Sequence, residues 1–146
     1  MGDLVIERAT PAHVPAIHRI EEASFPAPWR PEFFISEIHA EGRFNLVALR
    51  DGIVIGYLFS MWIFDEMHVN KIAVVEDARR QGIADALMEK CVAHARQRNI
   101  TSIALEVRKS NEGAQAFYRH LDFAPTYIRK NYYPDGEAAV VMTKEL

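Results

Sequence analysis

Cysteine is nearly absent from this chain of 146 residues, in which Cys91 stands alone. One thiol forms no intrachain disulfide, and a metal site built on cysteines is not expected. A single free thiol suits a reducing compartment, so the sequence reads as cytoplasmic. Cys91 falls on the apolar stripe of a helix expected over residues 82–97, where it reads as a small buried hydrophobe rather than a nucleophile. Long apolar runs are missing too. No stretch approaches the roughly 20 apolar residues of a membrane span. The start, MGDLVIERAT, holds no run of signal-peptide length. Positive charge is not in excess: 17 Lys and Arg stand against 20 Asp and Glu, a formal net charge of −3. A global basic field for nucleic acid is thereby excluded, and only a local basic patch remains open. Neither GxxxxGK before Ser or Thr nor GxGxxG occurs, which excludes a P-loop and a dinucleotide fingerprint. The histidines at 13, 18, 39, 68, 94 and 120 show no ligand spacing with Cys or paired carboxylates, so no metal is expected.

What is present is an ordinary globular composition, 49% apolar and 25% charged. Linkers, repeats and low-complexity segments are lacking, and residues 1–146 read as a single domain. Leu4–Arg8 is an apolar strand. Thr10-Pro11 opens a helix with Val14, Ile17 and Ile20 at helical spacing. Pro26, Pro28 and Pro31 end it in a rigid loop, and a short helix follows with Phe34, Ile35 and Ile38 inward. Strands 44–50 and 53–62 flank Asp51-Gly52, a type I′ hairpin signal. Asp65-Glu66 turns into strand 67–75. After the basic turn at 79–82 comes the helix carrying Ile83, Leu87, Met88, Cys91, Val92 and Ala95 on one face, with Asn99 as its C-cap. Strand 103–107, a helix from Ser110 or Asn111 to Leu121 with Phe117 and Leu121 inward, and strands 123–130 and 138–143 complete the chain. The order predicts an α/β (α+β) mixed sheet of seven strands, mostly antiparallel. Strands 67–75 and 103–107 form its central parallel pair, with about four helices on its faces.

The turn Arg79-Arg80-Gln81-Gly82 sits directly at a helix start. A helix N-terminus leaves its first amides unpaired and carries partial positive charge, which suits phosphate oxygens. Gly82 lets backbone approach a ligand without a Cβ in the way, and arginines contact phosphate bidentately. The plainer reading is an exposed connector with solvated arginines. In strand 103–107, alternation places Ile103, Leu105 and Val107 on one face and Glu106 on the other. A carboxylate on a central strand is costly unless partnered or used. Burial is expected to raise its pKa toward the range of a general base, unless it simply marks an exposed sheet end. Phe117 is expected to take the core, so that Tyr118 leans over the sheet edge as a feasible acid or a packing tyrosine. Asn111 either caps its own helix or meets a ligand amide.

Together these stretches resemble the GCN5-related N-acetyltransferase (GNAT) family over nearly the whole chain. Arg79-x-x-Gly82-x-Ala84 is similar to its acetyl-CoA signature. The resemblance implies the GNAT fold and acetyl-CoA as co-substrate. It places the pyrophosphate on Arg79, Arg80, Gln81, Gly82, Ile83, Ala84 and Asp85. It also places the pantetheine arm along Ile72, Ala73 and Val74, with a further contact at Asn111. Leu105-Glu106-Val107-Arg108-x-Ser110-Asn111, then Ala116-x-Tyr118, then Arg129-x-Asn131-Tyr132-Tyr133 resembles, more narrowly, the RimI-type ribosomal-protein alanine N-acetyltransferases. That implies Glu106 as base and Tyr118 as acid. The loop Phe25-Pro26-x-Pro28-Trp29 resembles the substrate-side loop of that subfamily, and Trp29, Tyr132 and Tyr133 are candidate grips for a peptide's first residues. Glu37, Glu41 and Asp65 are candidates for attracting a basic substrate tail. The implied partners are acetyl-CoA or CoA and a protein N-terminus, that of a ribosomal protein in the narrower resemblance, with no direct nucleic acid, no membrane, and a monomer or weak dimer. Acetylation of internal lysines or small amines is the rival within the enzyme class. A non-catalytic acyl-CoA sensor is the rival outside it.

Overall fold

The computed structural model describes residues 2–146. A single sheet carries the structure. Its strands are β1 (Leu4–Arg8), β2 (Arg43–Arg50), β3 (Ile53–Ile63), β4 (Glu66–Val74), β5 (Ser102–Arg108), β6 (Ala124–Arg129) and β7 (Ala139–Glu145). They lie in the order β1-β2-β3-β4-β5-β7-β6. Every neighbouring pair is antiparallel except β4 and β5. Asp51 and Gly52 both take positive φ, 54° and 76°, as the type I′ turn between β2 and β3 requires. The second turn falls on Phe64 and Asp65, one residue earlier than expected.

Helices cover both faces. A 3-10 turn at Pro11–His13 leads into α1 (Val14–Ser24), and α2 (Pro31–His39) follows the proline loop. Ile17, Ile20 and Phe34 from these two pack with Val47, Tyr57, Phe59 and Ala73 on one side of the sheet. On the other side, α3 (Ile83–Gln97) buries Ile83, Leu87, Met88, Cys91 and Ala95 against Leu58, Met67, Ile103 and Leu105. Asn99 takes a left-handed φ of 59° just past that helix. Cys91 is fully buried, and burial pushes its thiol up to about 12.

The last helix, α4 (Glu112–His120), corrects one expectation. Ala114, Tyr118 and Leu121, not Phe117, pack against the core. Positions four and seven residues on from Ala114 share its stripe. Phe117 lies beside that stripe, half-buried and edge-on to Tyr118 with ring centroids 5.2 Å apart.

Candidate active site

The parallel pairing of β4 and β5 is brief. Glu66, Met67 and His68 pair with Ser102, Ile103 and Ala104, and there it stops. Beyond that point β4 stays on β3 as far as Val74, and β5 stays on β7 as far as Arg108. The sheet therefore forks. The Val75 amide donates to Ile55 on β3 at 2.9 Å. Alternation along β4 then turns the amides of Val74 and Ile72 toward the open side of the fork, while Ala73 faces β3.

At the tip of β4 the chain makes the basic turn. Arg80 and Gly82 both adopt left-handed φ, 63° and 77°. Gly82 is the N-cap of α3 and offers no side chain to cap it. The first helical bond is Ala86 N to Gly82 O, 3.0 Å, so the amides of Ile83, Ala84 and Asp85 have no acceptor within the helix. A Cβ built on Gly82 would meet nothing within 4 Å. The space over the turn is open. Two of the side chains assigned to this turn are engaged in bracing it. Arg79 Nε donates to Val74 O at 3.1 Å, and Gln81 Oε1 accepts from Arg50 Nη1 at 2.7 Å.

Glu106 stands on the α1/α2 face of β5, opposite Leu105 and Val107, and its side chain is 8% exposed. It is not alone. His68 Nε2 contacts Glu106 Oε2, and Arg129 Nη1 donates to Glu106 Oε1 at 3.2 Å. His68 Nδ1 lies 2.7 Å from Asn70 Oδ1. With an oxygen at each ring nitrogen, the protonated form of the imidazole is favoured. Burial pushes the Glu106 carboxyl up, but the hydrogen bonds and charges of His68 and Arg129 outweigh it, and the net shift is downward. The expectation of a raised pKa is thus corrected. It rested on burial alone, and the two partners come from strands remote in sequence. Burial likewise lowers His68, while Glu106 and Asn70 pull it back above its ordinary value.

Aromatic groups surround this carboxylate. Tyr132 and Tyr133 meet edge-on at 5.0 Å. The Arg129 guanidinium lies 4.6 Å from the Tyr132 ring centroid, and that of Arg108 4.1 Å from Tyr133. Arg108 also bonds Asp135 and Glu137, each at 2.8 Å, and Glu137 accepts from Ser110 N at 3.0 Å, which braces the loop between β6 and β7. The Tyr118 hydroxyl is raised well above its ordinary value, by burial first and then by Tyr133. Tyr133 itself is pushed up to about 12 by burial and Tyr132. Trp29 packs on Phe33 and Phe34 at 4.6 and 5.2 Å, on the same face of the sheet as Glu106.

Other candidates have structural duties. Asn111 Oδ1 caps α4 by accepting from Ala114 N at 3.0 Å, so the capping alternative is realised. Glu37 is bonded to Arg43 at 3.0 Å, and the Glu41 carbonyl accepts from the same arginine at 2.8 Å. Asp65 takes the Thr101 amide at 2.7 Å, at the opposite end of β5 from Glu106, and so lies away from the site. Sequence reasoning missed His68, Arg129 and Lys71. Their parity along β4 and β6 was readable, but the strand register that brings the first two to Glu106 was not.

A forked parallel pair, an open helix N-terminus at its mouth and a buried carboxylate beside it can be compared with known proteins. The model of the acetyltransferase (GNAT) family matches residues 14–123. The chain belongs to this family. It is 35% identical over 132 residues to the ribosomal protein bS18 alanine N-acetyltransferase of Escherichia coli, covering 88% of each chain. It is 32% identical over 157 residues to an N-alpha-acetyltransferase of Saccharolobus solfataricus, covering 99% of this chain and 94% of the relative. The crystal structure of the Escherichia coli ribosomal-protein alanine N-acetyltransferase superposes with a TM-score of 0.90 at 32% identity, over 98% of this chain and 94% of that one. This acetyltransferase therefore takes its acetyl group from acetyl-CoA. The fork and the turn fit such a ligand. The outward amides of Ile72 and Val74 suit an amide-bearing arm, and the free amides of Ile83, Ala84 and Asp85 suit a pyrophosphate.

Proposed function

We propose that this acetyltransferase moves the acetyl group to the α-amine of a protein N-terminus, by direct transfer in a ternary complex. The alanine terminus of ribosomal protein bS18, the substrate in the relatives' names, is the first candidate. The observation that carries the reading is Glu106, a buried carboxylate at the fork bonded to His68 and Arg129, which hold its pKa down. A carboxylate so held is a weak base. It suits an α-amine with a pKa of about 7.7–8.0, of which roughly a tenth is already neutral near pH 7, and not a lysine at about 10.4.

Acetyl-CoA supplies the activated thioester. Glu106, directly or through a water, accepts the proton that the amine loses as its nitrogen bonds the acetyl carbon, and releases it to solvent after the product leaves. His68 and Arg129 hold the carboxylate in place. The Val74 amide, on the open side of β4, is the donor for the oxyanion that develops on the acetyl oxygen. Tyr118 donates the proton that the sulfur needs. Burial and Tyr133 keep that phenol fully protonated, so donation is more uphill than an ordinary tyrosine would make it. Trp29, Tyr132 and Tyr133 grip the first residues of the peptide. The single buried thiol fits a cytoplasmic setting.

The test is the pH dependence of kcat/KM with an alanine-led peptide. The profile is expected to rise and flatten above about pH 8, near the α-amino pKa. A rise continuing to about pH 10 would assign the reaction to a lysine amine and reject the reading.

A further inference from the structure

One fully buried carboxylate plays no part in the chemistry above. Glu21 on α1 is 0% exposed, and both its oxygens are engaged. The Tyr57 hydroxyl donates to Oε1 at 2.5 Å. The Trp29 amide donates to Oε2 at 2.9 Å, and Lys71 Nζ lies 3.0 Å from the same oxygen. The Glu21 main-chain carbonyl accepts from Phe25 N at 3.0 Å. Both ends of the loop 25–29 are thus fastened to one residue. Pro26 and Pro28 have no amide to donate, so the loop has few other main-chain anchors.

Lys71 completes the arrangement. Its ammonium lies 3.7 Å from the Phe25 ring centroid and 5.2 Å from that of Trp29. It projects from β4 on the same face of the sheet as Glu106 on β5. Trp29 is one of the rings proposed to hold the first residues of the peptide. The Lys71 ammonium, whose charge Glu21 neutralises, lies against that grip.

We propose that Glu21 is a positioning residue for the peptide substrate. It fixes the wall formed by Phe25 and Trp29, and it cancels the charge of Lys71 beside the path of the protonated amine. This rests on the reading that a protein α-amine is the acceptor. Removing the carboxylate charge leaves Lys71 as a bare cation facing a like charge, which weakens amine binding where the amine is protonated. The acetyl-CoA side of the fork is untouched.

The experiment is steady-state kinetics of wild type, Glu21→Gln and Glu21→Gln/Lys71→Met, with an alanine-led peptide at pH 6.5 and pH 9. For Glu21→Gln, the peptide KM is expected to rise about tenfold at pH 6.5, the scale of one like-charge contact near a protein surface. The rise should shrink severalfold at pH 9, where the amine is neutral, with the acetyl-CoA KM unchanged. The double variant should return the peptide KM to near the wild-type value. A peptide KM unchanged in Glu21→Gln, a parallel rise in both KM values, or no recovery in the double variant overturns the proposal. Should the single variant fail to fold, Lys71→Met carries the test, because Glu21 keeps its bonds from Tyr57 and Trp29. The uncompensated carboxylate should lower the peptide KM severalfold at pH 6.5 and not at pH 9, and a peptide KM unchanged at pH 6.5 overturns the proposal. Wild type that transfers no acetyl group to the peptide removes the α-amine reading and this proposal with it. Transfer by wild type with unaltered variants removes this proposal alone.

Discussion

Replacing Glu106 by Gln removes the candidate base while keeping its shape. The magnitude follows from the substrate and the site together. At pH 7 roughly a tenth of an α-amine with pKa about 7.7–8.0 is neutral, so bulk titration alone already supplies much of the reactive form. Positioned proton transfer contributes about 10²–10⁴-fold. Glu106 is held below its ordinary range by His68 and Arg129, which makes it a weak base and points to the low end. The expected loss in kcat is therefore about 10²-fold at pH 7, shrinking toward about tenfold at pH 9 as the amine becomes neutral without help. Acetyl-CoA should bind as before, because the partners of Glu106 are His68 and Arg129 and neither belongs to the turn at 79–85. The stability cost is expected near 1 kcal/mol, since Arg129 is 48% exposed and its ion pair is screened. Rapid-quench measurement of acetyl-peptide and calorimetry of acetyl-CoA binding provide the readouts. A loss below about threefold at pH 7 would refute the reasoning. So would a drop in acetyl-CoA affinity as large as the drop in kcat.

Tyr118→Phe keeps the ring that packs 5.8 Å from Phe123, so melting temperature should hold while kcat falls by about 10²-fold; an unchanged kcat would take the proton-donor role away. Gly82→Ala places a Cβ in open space at φ 77°, so the fold should lose only about 1 kcal/mol, but the acetyl-CoA KM should rise while the peptide KM does not. The His68–Glu106 pair has a defined pH window. The folded-state pKa of His68 is raised, so its contribution is complete below the ordinary value of 6.5 and fades as pH rises through the folded value. That of Glu106 is lowered, so its contribution is present above the ordinary value of 4.5 and fades as pH falls through the depressed value. His68→Gln should therefore lower the melting temperature more at pH 6 than at pH 8.5, and an equal drop at both would contradict the ion pair.

Much of this was legible in the amino acids. Strong alternation in Ile103–Val107 and helical spacing in 83–95 reported real burial, because each segment has one wet and one dry face. Asp51-Gly52 announced its hairpin because few residue pairs tolerate two positive φ angles. Phe117 was misplaced because hydrophobicity alone ranks it above Tyr118, whereas the position of Ala114 on the helix decides which ring faces the core. The partners of Glu106 stayed hidden for a different reason. His68 and Arg129 lie 38 and 23 residues away in sequence, and only the register of β4 on β5, and of β6 on β7, brings them to one carboxylate. Arg79 looked like a phosphate ligand because its guanidinium is charged, but its Nε is turned back onto the Val74 carbonyl.

The most direct measurement is intact-mass spectrometry of two peptides incubated with the purified protein and acetyl-CoA. One begins with a free alanine. The other has a blocked terminus and carries internal lysines. The account predicts one added acetyl group on the alanine-led peptide, localised to its α-amine by fragmentation, and none on the blocked peptide. Acetylation of the blocked peptide, with the free alanine terminus left unmodified, would contradict it.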